Sequence, residues 1–464
     1  MGNGTILKAL SGLALLSSIL FVSASGCTKK GADRPKHPNI LLIIGDDIGI
    51  DVTTDMYPGM IDDLVKQYGP SGHNHPRYQE IDGRPASTPS LNALAGAGMR
   101  FTHAWAQPFC SPTRTSLITG LYSAKTGIID PLGWLSRNHH SFVKDLKEKG
   151  GYSTAVFGKW HIAGLFEYPG MKPKEAGFDL FQGNLHGGVA TYYEWDYHVQ
   201  DASTPPDQWR TEKPPARSLP GIEPTTFAPV VKTADAINWI TEQETKNPDK
   251  PWFAWFAFNL SHITGRQEPN PMVIPNADTM DETSRKEMEE CMGPDGQFGS
   301  ANTGSCSSEA LMRAMTNSMD TMIGRLIETV DELDSDTYII YLGDNGTWMF
   351  GPKREFIDNM YLTKQGRSKG TAYESGVRVS MAIRGPGIKA GSQSDDWVHN
   401  VDLFSTILEL AGLDVPETVP NREGNGMVEV DGVSLTPILF EGARSLRDPH
   451  KGYLLAATVN SYKE

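Results

Sequence analysis

The chain has 464 residues, 39% of them hydrophobic and 21% charged, a composition that suits one large α/β domain or two smaller ones. Its 42 basic and 56 acidic residues leave a net charge of -14, which argues against a nucleic-acid partner, because that needs a basic footprint. An anionic substrate would have to be held by local cations rather than by the overall field.

Residues 1–27 read as an export signal: Lys8 precedes the largely apolar run Ala9 to Val22, and Ser23-Ala24-Ser25-Gly26 leads into Cys27. The run is too short and serine-rich for a membrane span. Ala24-Ser25-Gly26-Cys27 resembles a bacterial lipobox, which would make Cys27 an acylated N-terminus and hold the protein in the periplasm or on the outer membrane. That lipid would be its only tie to a membrane. Ordinary cleavage nearby, giving a soluble exported protein, is the alternative.

Asn39 to Ile44 is a continuous apolar run, as expected of a strand buried on both faces of a mostly parallel sheet. It ends at Gly45-Asp46-Asp47. Paired carboxylates at the C-terminal end of a central strand are costly unless a cation neutralises them, and open α/β sheets bind ligands at that edge. One aspartate capping a turn with the other in solvent is the plainer reading of the pair alone. Residues 52–87 read as an irregular insertion, and its His73 and His75 are assigned no role. Thr88 as N-cap, Pro89, Leu91, Leu94 and Gly98 predict a helix. A strand over Arg100 to Ala106 then delivers Phe109-Cys110-Ser111-Pro112-Thr113-Arg114-Thr115-Ser116-Leu117-Ile118-Thr119-Gly120. A thiol, a turn-forming proline and an arginine stand there at the mouth of a helix, whose N–H groups favour negative charge. A cysteine in that setting should have a depressed pKa, whereas a cysteine in an apolar run is inert packing.

Ser141 to Lys149 suits a short helix and Tyr152 to Phe157 a strand, followed by Gly158-Lys159-Trp160-His161, whose lysine and histidine should project to one side of an extended backbone. Residues 163–229 are rich in Gly, Pro and aromatics; Tyr192, Tyr193, Trp195 and Trp209 read as packing residues, with a substrate rim as the alternative. Val230 to Glu244 is an amphipathic helix, and the strand Trp252 to Leu260 ends in Ser261-His262. Cys291 and Cys306 lie in a Gly/Asn/Ser-rich loop and would pair in an oxidising compartment. Ser308 to Leu333 repeats apolar residues at helical spacing, with Met315, Met319 and Met322 as core fillers. Thr337 to Leu342 is the next strand, ending in Gly343-Asp344-Asn345-Gly346. Asp46, Asp47, Asp344 and Asn345 offer only oxygen, which suits a hard cation and argues against zinc. Further on come a strand over Val379 to Ile383, a helix over Val401 to Ala411 closed by Gly412, and a strand opening at Tyr453 and running to Val459.

Cys110-x-Pro112-x-Arg114 with Thr119-Gly120, Gly158-Lys159-x-His161, and the block from Lys369 through Tyr373-Glu374-x-Gly376-x-Arg378-Val379 occur in one order. Together they resemble the formylglycine-dependent sulfatases of the alkaline phosphatase superfamily, over roughly residues 38–450. The resemblance implies an α/β fold with a large, mostly parallel central sheet flanked by helices. It implies that a maturation enzyme oxidises Cys110 to formylglycine, whose hydrated aldehyde attacks sulfur. Asp46, Asp47, residue 110, Asp344 and Asn345 would then hold the metal, calcium before magnesium or manganese, Arg114, Lys159 and Lys369 would neutralise the sulfate, and His262 would stand on the sulfate or the leaving oxygen. Asp344 would assist the attacking hydroxyl, His161 would take a proton during collapse, and His262 or Lys369 would protonate the departing alcohol. The family more often has a proline soon after this histidine, and Ile263-Thr264-Gly265 departs from that. Glu374 and Arg378 read as a structural ion pair.

The implied function is hydrolysis of a sulfate monoester on a small molecule or carbohydrate. A phosphodiesterase or phosphonate monoester hydrolase of the same superfamily is the alternative, and a lipid-anchored binding protein with an unmodified Cys110 is a rival of another class. Sulfatases usually continue into a small C-terminal antiparallel sheet, of which residues 451–464 would be only the start, so the chain reads as a short member or a fragment.

Overall fold

Successive apolar residues need cover on both faces of a sheet, and the first such run, Asn39–Gly45 (β1), lies at the centre of one. The computed structural model describes residues 37–81, 85–165, 167–266, 270–333, 336–348, 368–447 and 453–458. Residues 1–27, where an export signal and the Cys27 lipid site are expected, lie outside them. After β1 come α1 (Met60–Tyr68), α2 (Pro89–Ala97), β2 (Met99–Trp105), α3 (Cys110–Thr119), α4 (Ser123–Thr126) and α5 (Phe142–Glu148). The chain continues through β3 (Ser153–Lys159), β4 (Leu180–Asn184), β5 (Tyr197–Gln200), β6 (Arg210–Glu212), the hairpin of β7 (Arg217–Leu219) and β8 (Ile222–Thr225), and α6 (Ala228–Lys246). Next are β9 (Trp252–Ala257), α7 (Glu282–Met292), α8 (Ser308–Glu332), β10 (Thr337–Gly343), α9 (Glu374–Val377), β11 (Arg378–Val379), β12 (Met381–Arg384), β13 (Ser392–His399) and α10 (Asp402–Leu410).

The main sheet has the order β11-β2-β12-β10-β1-β9-β3-β4-β5-β6, with β13 beside β2. Its middle strands, β10, β1, β9, β3 and β4, are parallel, and antiparallel pairs flank them on both sides. Alternate residues of β1 point to opposite faces, where two apolar clusters form. Leu41 and Ile43 pack with residues of α2, α6 and α8, and Ile40, Leu42 and Ile44 with residues of α3, α5 and α10. Helices thus cover both faces, as the sequence implies. Among the described residues no helix is long and apolar enough to cross a membrane.

Register matters more for function than strand count. Gly45 pairs with Gly343, Ile44 with Ala257, and Ala257 with Gly158, so β1, β10, β9 and β3 end at one level. Every polar motif that follows these strands is therefore delivered to one sheet edge.

Several local expectations need correction. The stretch 52–87 contains α1, whose Met60, Ile61 and Leu64 pack one face against the core; the Pro and Gly that signalled a loop only flank it, at Pro58-Gly59 and Gly69-Pro70. Cys291 lies in the last turn of α7 rather than in a loop, and it is disulfide-bonded to Cys306. Residues 453–458 form no strand, because their backbone groups meet side chains: Tyr122 and Gln107 donate to the carbonyls of Tyr453 and Leu455, and Ala457 N–H donates to Gln107.

Thr88 stands at the N-cap of α2, but its hydroxyl caps nothing. The N–H groups of Ser90 and Leu91 instead donate to the two carboxylate oxygens of Asp320 on α8, each at 2.8 Å. Burial pushes the Asp320 carboxyl up to about 6, and these bonds pull it back. Asp320→Ala leaves the buried Leu91 N–H and the part-buried Ser90 N–H unpaired and should lower the unfolding free energy in a urea titration by about 2 kcal/mol. Asp320→Asn, which keeps one acceptor, should lose about half as much.

Candidate active site

The first turn of α3 laces the strand-end loops together. Ser111 Oγ donates to the His161 carbonyl at 2.8 Å, and Thr113 Oγ1 to the Asp344 carbonyl at 2.5 Å. The guanidinium of Arg114 is fully buried; Nη1 donates to the Lys159 carbonyl at 2.6 Å, while Nε and Nη2 reach Asp344 Oδ2 at 3.3 and 2.9 Å. These bonds make Arg114 the group that fixes Asp344 and the end of β3, and they occupy donors that the sequence reading aimed at sulfate.

Beside this turn, three buried carboxylates face three buried cations. Lys159 Nζ lies 2.6 Å from Asp46 Oδ2, Lys369 is ion-paired with Asp47, and Arg114 with Asp344. Asp47 N–H donates to Asp344 Oδ1 at 3.1 Å, and Asn345 Nδ2 to Asp47 Oδ1 at 2.8 Å. Asp47 sits in the left-handed region at φ 61°, which an aspartate tolerates better than most residues. Burial pushes the Asp46 carboxyl up to about 8 against the pull of Lys159, with Asp344 and Asp47 adding to the rise. Burial would raise Asp47 too, but Lys369 and other nearby positive charge hold it at about 2. Lys369, which burial alone would lower, is raised by the carboxylates around it.

Three oxygens in this cluster, Asp46 Oδ1, Asp47 Oδ2 and Asn345 Oδ1, are buried without a hydrogen-bond partner. Ligand atoms of Asp46, Cys110 and Asp344 lie within 4.8 Å of one another. With its amide nitrogen spent on Asp47 and the Gly346 carbonyl, Asn345 offers its oxygen. Unpaired buried oxygens on three of the four residues singled out in the sequence fit a hard cation.

Cys110 opens α3, yet its thiol is not activated. Burial pushes its pKa up in spite of Lys159 and Lys369, with Asp344 and Asp46 adding to the rise, against the expected depression. Its Sγ lies 3.1 Å from His161 Nδ1. The other ring nitrogen, Nε2, is 3.1 Å from the Pro131 carbonyl, an arrangement that places the proton on Nε2 and leaves Nδ1 as an acceptor toward residue 110. Burial, then Lys159 and Arg114, hold the ring neutral, well below its ordinary pKa.

Lys159 and His161 do meet at the site, but not along an extended backbone, because His161 turns left-handed at φ 57°. Its ring presses so closely on Gly187 that a Cβ there would stand 2.3 Å from Nε2. His262 is placed by Tyr192, whose hydroxyl donates to the carbonyls of Asn259 and His262 at 2.6 and 2.7 Å. Its Nδ1 lies 2.6 Å from the Ile263 carbonyl, and burial lowers its pKa to about 3. The loop without the family's proline is held by Thr264 Oγ1 donating to the carbonyls of Arg266 and Pro271. Glu374 and Arg378 do pair, at 3.5 Å, away from the cluster's contacts.

Some neighbours had little sequence signal. Trp348, just past Asn345, lies under Lys369 Nζ at 4.9 Å and beside His262. Lys232, a single lysine within the apolar start of α6, is buried; its ammonium donates to Asn184 Oδ1 at 2.7 Å and to Asn259 Oδ1, and sits 4.7 Å over the Trp195 ring. Tyr192 and Trp195 are thus buried packing rather than rim. A cavity of about 430 Å³ opens against His161 and His262, walled by Leu165, Tyr168 and loops of residues 131–132, 186–198 and 262–265.

A family model described as Sulfatase matches residues 38–413. N-acetylgalactosamine-6-sulfatase of Sus scrofa is 25% identical, over 96% of this chain and 74% of that protein. Arylsulfatase G of Rattus norvegicus is 26% identical, over 91% and 73%. Among solved structures, BT4656 in complex with its substrate D-glucosamine-2-N,6-O-disulfate aligns with a TM-score of 0.56 at 21% identity, covering 89% of this chain and 82% of that one.

Arg114→Lys keeps the charge but cannot reproduce the fork between Asp344 and the Lys159 carbonyl. The variant should lose about 2 kcal/mol of unfolding free energy in urea, before any activity is assayed.

Proposed function

The chain belongs to the sulfatase family, and from that membership we propose that it hydrolyses the sulfate monoester of a small molecule or carbohydrate through a formylglycine at position 110 and a divalent cation, calcium first. The observation that supports this most is the set of unpaired buried oxygens on Asp46, Asp47 and Asn345, gathered beside the one free cysteine among the described residues. Asp46, Asp47, Asp344, Asn345 and residue 110 would hold the cation, which when bound supplies Lewis-acid charge to a sulfate oxygen.

The protein's own groups divide the remaining work. A thiol kept protonated by burial is a poor nucleophile, whereas a hydrated aldehyde at the same position has two hydroxyls. One attacks sulfur with Asp344 assisting, forming an O–S bond at residue 110 and breaking the S–O bond to the alcohol. Lys159 and Lys369 are placed to take the negative charge on the sulfate oxygens. With its neutral-form proton committed to the Ile263 carbonyl, His262 presents Nε2 as an acceptor, so Lys369 is the group with a proton to give the departing oxygen. The second hydroxyl then loses its proton to His161 Nδ1, the C–O bond to sulfate breaks, and the aldehyde re-forms. Water then adds to the aldehyde to restore its hydrate, and is spared direct attack on a hindered ester. We place the catalytic domain over residues 38–450 and assign residues 1–27 to export, toward the periplasm or, through Cys27, the outer membrane.

Cys110→Ala should lower sulfate release from 4-nitrophenyl sulfate by roughly a thousandfold or more while leaving the melting temperature in place. A variant with near-normal turnover would remove residue 110 from the reaction. Faster turnover of bis(4-nitrophenyl) phosphate than of the sulfate ester would move the reading to the phosphodiesterases. Independently of turnover, calcium added to chelator-treated protein should raise the melting temperature in a concentration-dependent way, and Asp47→Asn should blunt the rise.

A further inference from the structure

If the ester sulfur is attacked from residue 110, the departing alcohol has to occupy the cavity against His161 and His262, and the chemistry of that cavity bears on which alcohol it is. Leu132, Leu165, Val189 and Ile263 give it apolar walls. Among the described lining residues only Asp196 carries a formal charge at neutral pH. The two further histidines of the wall, His186 and His198, are lowered by burial, the second to about 4, and stay neutral there. Asp196 itself is exposed, and among the described residues it has neither a hydrogen bond nor an ion pair. The nearest arginine in sequence to the lining Gly265, Arg266, is already paired with Glu194 at 3.0 Å.

We infer that Asp196 restricts this cavity to alcohols without a second anion, so that the substrate is a singly sulfated molecule whose remainder is neutral or carries an ammonium group. The inference rests on the sulfatase reading above and adds a constraint to it. Cations are abundant where sulfate would sit, but they are bound up with carboxylates at the strand ends. Among the described lining residues of the alcohol's cavity the one unpaired charge is negative. A second sulfate or a carboxylate placed there would face like charge, and a specificity built on repulsion needs no further contact. An ammonium group would meet Asp196 favourably. D-glucosamine-2-N,6-O-disulfate, the substrate of BT4656, carries such a second anion, and this chain should disfavour it.

The test uses full-length protein whose aldehyde at residue 110 has been verified by peptide mass spectrometry. Two matched series are compared: glucosamine 6-sulfate with a free, acetylated or sulfated amine, and phenyl sulfates bearing a 4-acetamido, 4-aminomethyl or 4-carboxy group. The readout is the ratio of kcat/KM for the member with a second anion to that for its neutral counterpart, in wild type, Asp196→Asn and Asp196→Lys. The wild type should favour the neutral and ammonium members, and the ratio should rise about tenfold in Asp196→Asn and further in Asp196→Lys. Equal or better use of the doubly anionic members by the wild type, or a ratio unmoved by both variants, overturns the inference and leaves the hydrolase reading standing. Matured protein that releases sulfate from no member overturns the hydrolase reading, and this inference with it.

Discussion

Everything at the site depends on the shared level at which four parallel strands stop. Because Gly45, Gly343, Gly158 and Ala257 are linked by register, the residues just beyond them cannot avoid one another. Asp46, Asp47 and Asp344 come together out of water, a costly act for carboxylates in each other's presence. The protein answers each with a buried cation from a different part of the chain, Lys159 from β3, Lys369 from the segment before α9, and Arg114 from α3. Apolar residues of similar volume would hold the sheet edge at least as well, so the retained charges point to chemistry rather than to stability.

The cluster gives each acidic group a basic partner without being complete in hydrogen bonds. Three cations oppose three carboxylates, yet oxygens on Asp46, Asp47 and Asn345 stay unpaired. Buried polar atoms are nearly always satisfied in native proteins, so three exceptions within one cluster mark a place where a further partner belongs. Lys232 of α6 shows the opposite solution. Its ammonium has no carboxylate among its described contacts and is held by two amide oxygens and an indole face, which couples the end of β4 to the loop that carries His262.

How far the sequence could reveal all this depended on which interactions are local. β1, β9 and β10 announced themselves because a strand covered on both faces must be apolar throughout, and the polar residues that end each run were conspicuous against it. The motif around Cys110 was legible for a similar reason, since its proline, arginine and terminal glycine have fixed places along one helix. What stayed hidden was decided by residues distant in the chain. Thr88 had every mark of a cap, but Asp320, brought in by α8, does that work. The raised pKa of Cys110 comes from burial that no helix-terminus argument contains. The left-handed turn at His161 is tolerated because Gly187 leaves room for the ring, a condition set by the chain after β4. Lys232 looked like one charge in an amphipathic helix, and only packing shows which way it points.

The two halves of the site are built from different materials, and this bears on what each can vary. The groups that would handle sulfate sit at the ends of central strands, at the start of α3 and in the segment before α9, and Ser111, Thr113 and Arg114 of α3 tie the strand-end loops together through their backbone carbonyls. Moving one of them by an ångström would break several hydrogen bonds at once, so this half is rigid by construction. The wall facing the alcohol comes instead from the connections after β3, β4 and β9, where few backbone groups are committed to the sheet. A residue such as Asp196 can change there without disturbing the register of any strand, whereas Asp46 cannot change without leaving Lys159 buried and unpaired. A fold arranged in this way can keep one bond-breaking apparatus while exchanging the alcohols it accepts, because the loops that choose the alcohol are not the elements that hold the charge.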